Sequence, residues 1–172
     1  MQGVPRQKVV LETHRAEWAE EFDRVKRQLQ SMHGENAVNI QHVGSTAIDG
    51  IMAKPMLDVA VLFRRIDDSV FSGMAENGYV YYGEVASGKH LFILRGQNEV
   101  SLQHVHCYEV SNSGLFYEQL RFRDFLRSHP AYAREYEALK IKLLELYADD
   151  RKKYTAGKQA FFDKIKLLAT QD

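Results

Sequence analysis

The stretch "MLDVAVLF", residues 56–63, constrains the fold more than any other. Its near-continuous apolar character describes a central strand covered on both faces, because a strand with one wet face alternates. A sheet built around it must carry packed elements on each side. Asp58 stands inside that run. An unpaired carboxylate is costly to bury, so Asp58 needs a partner or a polar cleft.

The flanking patterns supply the rest of the sheet and its cover. Trp18, Phe22, Val25, Leu29 and Met32 recur at helical steps and predict an opening helix stopped by Gly34. Residues 38–43 predict a short strand with Val38, Ile40 and His42 on one face. Ile66 to Glu76 reads as a helix ended by Asn77 and Gly78. Residues 79–85, 89–95 and 100–109 read as three further strands, with Gly83, Ser87–Gly88 and Gly96–Asn98 as turns. After residue 111 the period turns helical. Leu115 to Leu126 forms one helix, and Pro130 opens a second whose stripe is Tyr132, Tyr136, Leu139, Leu143 and Leu146. Thr155 is placed to cap a final helix carrying Phe161, Phe162, Ile165 and Leu168. The expected architecture is α+β, a mixed sheet of about five strands with flanking helices and a C-terminal helical segment. All 172 residues fit one domain, with helix and sheet in 1–110 and helices in 111–172.

Composition excludes several classes. The chain has no apolar run long enough to span a bilayer, and "MQGVPRQKVV" lacks the apolar core of a signal peptide. A lone cysteine, Cys107, makes no internal disulfide and suits a reducing cytoplasm. Net charge is zero, which argues against bulk, sequence-blind nucleic-acid binding. The charge is unevenly spread: residues 121–166 hold 12 basic and 7 acidic side chains, and the remainder 11 and 16. A basic C-terminal third beside an acidic remainder suits either a phosphorylated ligand or a set of solvated helix faces.

The chemistry begins where the strand at 38–43 ends. Gly44 and Ser45 offer backbone amides and a hydroxyl at close range, with Thr46 next in line. If a helix starts there, its field favours phosphate. Thirteen residues beyond Ser45, Asp58 is a candidate to hold a divalent cation bridging phosphate oxygens. His42 either lines the same cleft or satisfies a backbone group.

Taken together, "HVGSTAIDGIMAKPMLDVAVLF", "HVHCYEV", "FRDFLRSHPAYAREYEALK", "YTAGKQAFF" and the opening "HRAEWAEEFDRVKRQL" resemble the GrpB-like family over nearly the whole chain. That family is placed in the polymerase-beta-type nucleotidyltransferase superfamily, so the resemblance implies a nucleotidyltransferase-like sheet and a nucleotide or other phosphorylated ligand. In that superfamily a Gly–Ser pair precedes two strand carboxylates one residue apart, with a third acid on a neighbouring strand. Gly44, Ser45 and Asp58 match, but Ala60 stands where the second acid belongs. That departure weighs against nucleotidyl transfer by a two-metal route and keeps open a non-catalytic binding module with a degenerate metal site.

On strand 100–109, His104 and His106 are two apart and share a face. Should that face meet Asp58, two imidazoles and a carboxylate would suit Zn²⁺, Mn²⁺ or Fe²⁺ better than Mg²⁺. Otherwise the imidazoles are hydrogen-bonding members of a polar cleft or direct phosphate contacts. The resemblance places Lys54 at the cleft mouth, where with Asp58 it would take a catalytic part. It adds Arg123, Lys140, Tyr154 and Lys158 to Gly44, Ser45, Thr46 and His42 as the nucleotide-binding set. The fusion of some relatives to dephospho-coenzyme A kinase points to a coenzyme A-like or adenine nucleotide ligand. On this reading Asp58 serves binding more than stability, and Asp58→Asn should leave the apo protein's melting temperature unchanged or raised.

Overall fold

The computed structural model describes residues 3–5 and 8–170. Four residues of the N-terminal stretch without a leader pattern, Met1, Gln2, Arg6 and Gln7, lie outside them. Helix α1 spans Glu17–His33, and strands β1 and β2 span Ala37–Val43 and Leu57–Phe63. Helix α2 (Asp68–Glu76) precedes β3 (Tyr79–Ala86), β4 (Lys89–Arg95) and β5 (Ser101–Glu109). Helices α3 (Gly114–Ser128), α4 (Pro130–Tyr147), α5 (Arg151–Ala156) and α6 (Gln159–Leu168) complete the chain. The five strands form one mixed sheet in the order β1-β2-β5-β4-β3. Strands β2 and β5 run parallel and every other neighbouring pair antiparallel.

The apolar run at 56–63 is covered on both faces, as its pattern requires. On one side Leu57, Val59, Val61 and Phe63 pack with Val105 and Cys107 against Trp18, Val25 and Leu29 of α1 and Val70 and Met74 of α2. Burying each such large side chain contributes roughly 1.5–3 kcal/mol. On the other side Ala60 and Leu62 join Val43 and Tyr108 beneath Phe116 of α3. A separate core holds the C-terminal helices together: Phe125, Leu126, Ala133, Tyr136, Phe161 and Ile165 close over Ile48 and Ile51 of the loop between β1 and β2. The sheet face under β4 and β5 is left open toward α4, α5 and α6, and a cleft forms there.

Local chemistry accounts for the departures from the sequence reading. Gly34 ends α1 at φ 53°, a left-handed conformation that glycine adopts without cost. Helix α2 starts at Asp68 and not at Ile66, because the Asp67 side chain accepts from Ser69 N–H and caps it. Ile66 N–H instead donates to Glu109 Oε2 at 3.0 Å. The single final helix is two: Asp150 caps α5 by accepting from Lys153 N–H, Thr155 lies inside α5, and α6 begins after Lys158. Thr155 therefore caps nothing. A register shift between Ala37 and Asn39 leaves Val38 exposed. Leu146 is also exposed, at the far end of the α4 stripe.

Candidate functional site

The parallel register sets Asp58 opposite His104 and Ala60 opposite His106. Opposed residues share a sheet face, so all four project toward the cleft side. His106 Nε2 donates to Asp58 Oδ1 at 3.3 Å, and His104 Nδ1 lies 3.7 Å from the same oxygen. Among the described residues these three form the His, Cys, Asp and Glu cluster tight enough to hold a metal ion, their ligand atoms all within 4.8 Å of one another. The Asp58 side chain is 24% exposed and each imidazole 13%, so the cluster is recessed yet reached by solvent.

Burial fixes the protonation states. It pushes His104 down to about 4 against the opposing pull of Asp58, and it lowers His106 as well. Both rings are neutral at pH 7. Burial alone would raise the Asp58 carboxyl. At the low pH where Asp58 titrates, the His106 hydrogen bond and the charges of the then protonated His104 and His106 and of Lys54 outweigh it and hold Asp58 well below the usual carboxylate range.

Gly44 makes the close approach possible. It sits at φ 72° and ψ −173°, between β1 and a single 3₁₀ turn at Ser45–Ala47. A Cβ at this position would lie 2.6 Å from Asp58 Oδ2 and 2.9 Å from Asp58 Cβ. The anticipated helix start is only that one turn, pinned from outside by Arg127 Nε donating to Ala47 O at 2.7 Å.

The cleft above, about 1360 Å³, is lined by Gly44, Ser45, Thr46 and the Asp58 cluster on one side and by cations on the other. Lys54 and Lys158 flank the Tyr154 ring, their Nζ atoms 5.7 and 5.0 Å from its centroid. Burial pushes Lys54 down to about 7, helped by the charges of Lys158 and Arg151. The Tyr154 hydroxyl is buried without a hydrogen-bond partner. Lys140 also lines the cleft, but its ammonium is spoken for: it donates to Met52 O and stands 4.7 Å from the Tyr136 centroid.

Two sequence candidates are not brought into the cleft. His42 pairs with Val59 across β1 and β2, so it faces α1, where it stacks on Phe22 at 4.9 Å and hydrogen-bonds Thr46 Oγ1 at 2.9 Å. Arg123 turns inward to bind Gln41 Oε1 at 2.9 Å, His42 O at 2.8 Å and Asp124 Oδ1 at 2.7 Å. Neither is among the residues lining the cavity. Arg123→Ala is expected to cost about 2–3 kcal/mol in urea unfolding, since it strands a buried carbonyl, while ligand affinity in the folded variant stays within about twofold of wild type. His42 brings a second expectation. Burial lowers it to about 4, so the unfolded chain binds more protons between pH 4 and 6.5. The stability from neutral His42, about 3 kcal/mol by the linkage relation, is complete above pH 6.5 and lost as pH falls through 4. Melting curves across that window, compared with those of His42→Gln, measure it.

Among the cleft cations that escaped the sequence reading are Lys89 and Arg151. Period two on β4 places Lys89 with Leu91 and Ile93 on the cleft face. Arg151, Tyr154 and Lys158 fall at helical spacing, a signal available in "RKKYTAGK".

Residues 8–167 match the family described as "GrpB protein". The chain belongs to the GrpB family. It is 36% identical over 173 residues to the glutamate-rich protein GrpB of Alkalihalophilus pseudofirmus, covering 96% of this chain and 98% of that one. It is 35% identical to the UPF0157 protein YqkA of Bacillus subtilis, over 90% of this chain but 45% of that longer protein. Among solved structures, the conserved protein GrpB of Enterococcus faecalis superposes with a TM-score of 0.85 at 31% identity, covering 94% of this chain and 98% of the other. The mixed α+β sheet with its helical C-terminal part is thus a shared GrpB architecture. Among the described residues, no helix is long and apolar enough to cross a membrane.

Proposed function

We propose that this GrpB-family chain binds a nucleotide or another phosphorylated small molecule in the cleft, together with a divalent cation at Asp58. One observation carries the reading. Asp58 is the carboxylate facing Lys54, Lys89, Arg151 and Lys158, and its field acts on all four. None of the four forms an ion pair within 4.0 Å among the described residues. A wall of unpaired cations opposite one anion calls for a ligand of several negative charges. Ser45 and the Gly44 turn offer polar contacts at one end of it, and Lys54 and Lys158 charge at the other. The Tyr154 hydroxyl supplies an unused donor between them. A cation at Asp58 would neutralise phosphate oxygens. On this reading the chain is one domain, because α3 packs on β1 and β2 within the same layers as the cleft. The lone, buried Cys107, outside any disulfide, is consistent with a cytoplasmic setting.

If the chain turns its ligand over, Lys54 and Lys158 are placed to stabilise charge developing on a transferred phosphoryl or nucleotidyl group. A specific observation favours binding without transfer: Ala60 is fully buried among Val43, Leu62, Tyr108 and Phe116, so no second carboxylate joins Asp58. Calorimetry with ATP, CTP and dephospho-coenzyme A, with and without Mn²⁺, tests the binding, and product analysis of the same mixtures tests transfer. Metal-dependent binding of at least one of these compounds is expected. No heat and no thermal shift with any of them would refute the reading.

Lys54 provides a more particular test. Its value of about 7 means it is mostly neutral at pH 8. A bound polyanion raises it, so binding at pH 8 takes up close to one proton and binding at pH 6 takes up none. Calorimetric titrations in two buffers of different ionisation enthalpy count the proton, and Lys54→Met should abolish the uptake.

A further inference from the structure

We infer that Asp58, His104 and His106 form a mononuclear transition-metal site, selective for Zn²⁺, Co²⁺ or Mn²⁺ over Mg²⁺, in place of a two-magnesium site. The inference deepens the proposed reading of the same cleft, but it rests on the cluster alone and is tested without any phosphorylated compound.

Two magnesium ions need several carboxylate oxygens, because Mg²⁺ prefers oxygen ligands and keeps its waters. The cluster offers one carboxylate. Its neighbour on the same face, Ala60, is packed in apolar contacts, and the opposed positions on β5 are both histidines. Three of the other four carboxylates lining the cleft are engaged elsewhere. Glu118 Oε1 pairs with Lys166 Nζ at 2.8 Å. Asp150 accepts from Lys153 N–H at 3.0 Å, and Asp163 from Gln159 Nε2 at 2.9 Å. None of them, nor Asp149, joins the trio of ligand atoms within 4.8 Å.

The donor chemistry selects the ion. Imidazole suits zinc, cobalt and manganese, and two imidazoles with a carboxylate leave coordination positions open. The nitrogens turned toward Asp58 are His104 Nδ1 and His106 Nε2, and with a metal bound the His106 proton would be carried at Nδ1 in place of Nε2. The cluster sits in the floor of the cleft, and its open side is where a ligand would complete the coordination.

The test uses the full chain stripped of metal by a chelator. Titration with Co²⁺ is expected to give a visible d–d band that saturates at one ion per chain, and Zn²⁺ should bleach it. Mg²⁺ at a hundredfold excess should leave the band unchanged. His104→Ala and His106→Ala should each weaken Co²⁺ by more than about 100-fold, beyond the effect of losing an outer-shell partner. Melting curves establish that the variants are folded. Should either fail to fold, the Co²⁺–Mg²⁺ competition on the wild-type chain decides by itself. Two ions per chain, Mg²⁺ competing at parity, no Co²⁺ or Zn²⁺ bound by the folded wild type, or Co²⁺ affinity unchanged in folded histidine variants would each overturn the site. Absence of nucleotide binding with the Co²⁺ band intact would refute the phosphorylated-ligand reading and leave the metal site standing.

Discussion

Asp58→Asn is expected to abolish metal-dependent nucleotide binding, a loss of at least about 100-fold or 2.7 kcal/mol, and to destabilise the apo protein by about 2 kcal/mol. An amide keeps the shape and the hydrogen bond to His106 but removes the anion, and a neutral oxygen is a poor metal ligand. The stability loss reverses the expectation drawn from sequence, in which the carboxylate is held for a ligand at no benefit to the fold. Lys54, Lys89, Arg151 and Lys158 line the same cleft as Asp58, and its charge favours the cationic form of each. Removing the anion leaves four cations facing one another. The direction of its titration agrees. Asp58 is held below the usual carboxylate range in the fold, so its contribution is present above the unfolded value and lost as pH falls through the folded one. Urea unfolding of wild type and Asp58→Asn at pH 7 measures the loss, and equal stability of the two would contradict the electrostatic assignment.

Gly44→Ala is expected to cost about 3 kcal/mol in unfolding free energy and to eliminate Co²⁺ or Mn²⁺ binding. Two independent effects add. The backbone at φ 72° and ψ −173° belongs to a region essentially restricted to glycine, and an alanine held there is strained by about 1–3 kcal/mol. The new Cβ would also stand 2.6 Å from Asp58 Oδ2, so the carboxylate must swing away from His104 and His106. Gly50→Ala is the control. It shares a positive φ of 75°, but its Cβ would meet nothing within 4 Å. It should show the backbone cost in urea titrations and retain full metal affinity. Equal metal affinity in Gly44→Ala and wild type would mean that Gly44 does not shape the cluster.

Much of the fold is legible in the sequence where periodicity speaks. The apolar run of β2 demands cover on both faces and receives it from α1 and α2 on one side and α3 on the other. Alternation on β5 puts His104 and His106 on one face, and only the parallel register with β2 is needed to bring Asp58 to them. What stays hidden depends on long-range placement. Period two correctly separates His42 from Asp58 once β1 is paired, but the pairing register is not written in the strand itself. Arg123 looks like any basic residue on an exposed helix face, and its burial follows from α3 lying across β1. The start of α5 is set by Asp150, a local cap that competes with the Thr155 signal five residues on, and α5 then ends at Gly157 before α6 begins. Arg151 is masked by two neighbouring lysines of the same charge, and only the turn of α5 singles it out.

The most direct measurement is a crystal structure of the chain soaked with Mn²⁺ and ATP, with the anomalous signal recorded. The expected map places one Mn²⁺ peak in contact with Asp58 Oδ1, His104 Nδ1 and His106 Nε2, and the phosphates between that peak and Lys54 and Lys158. Nucleotide density outside the cleft, or nucleotide in the cleft with no manganese at Asp58, would contradict the account.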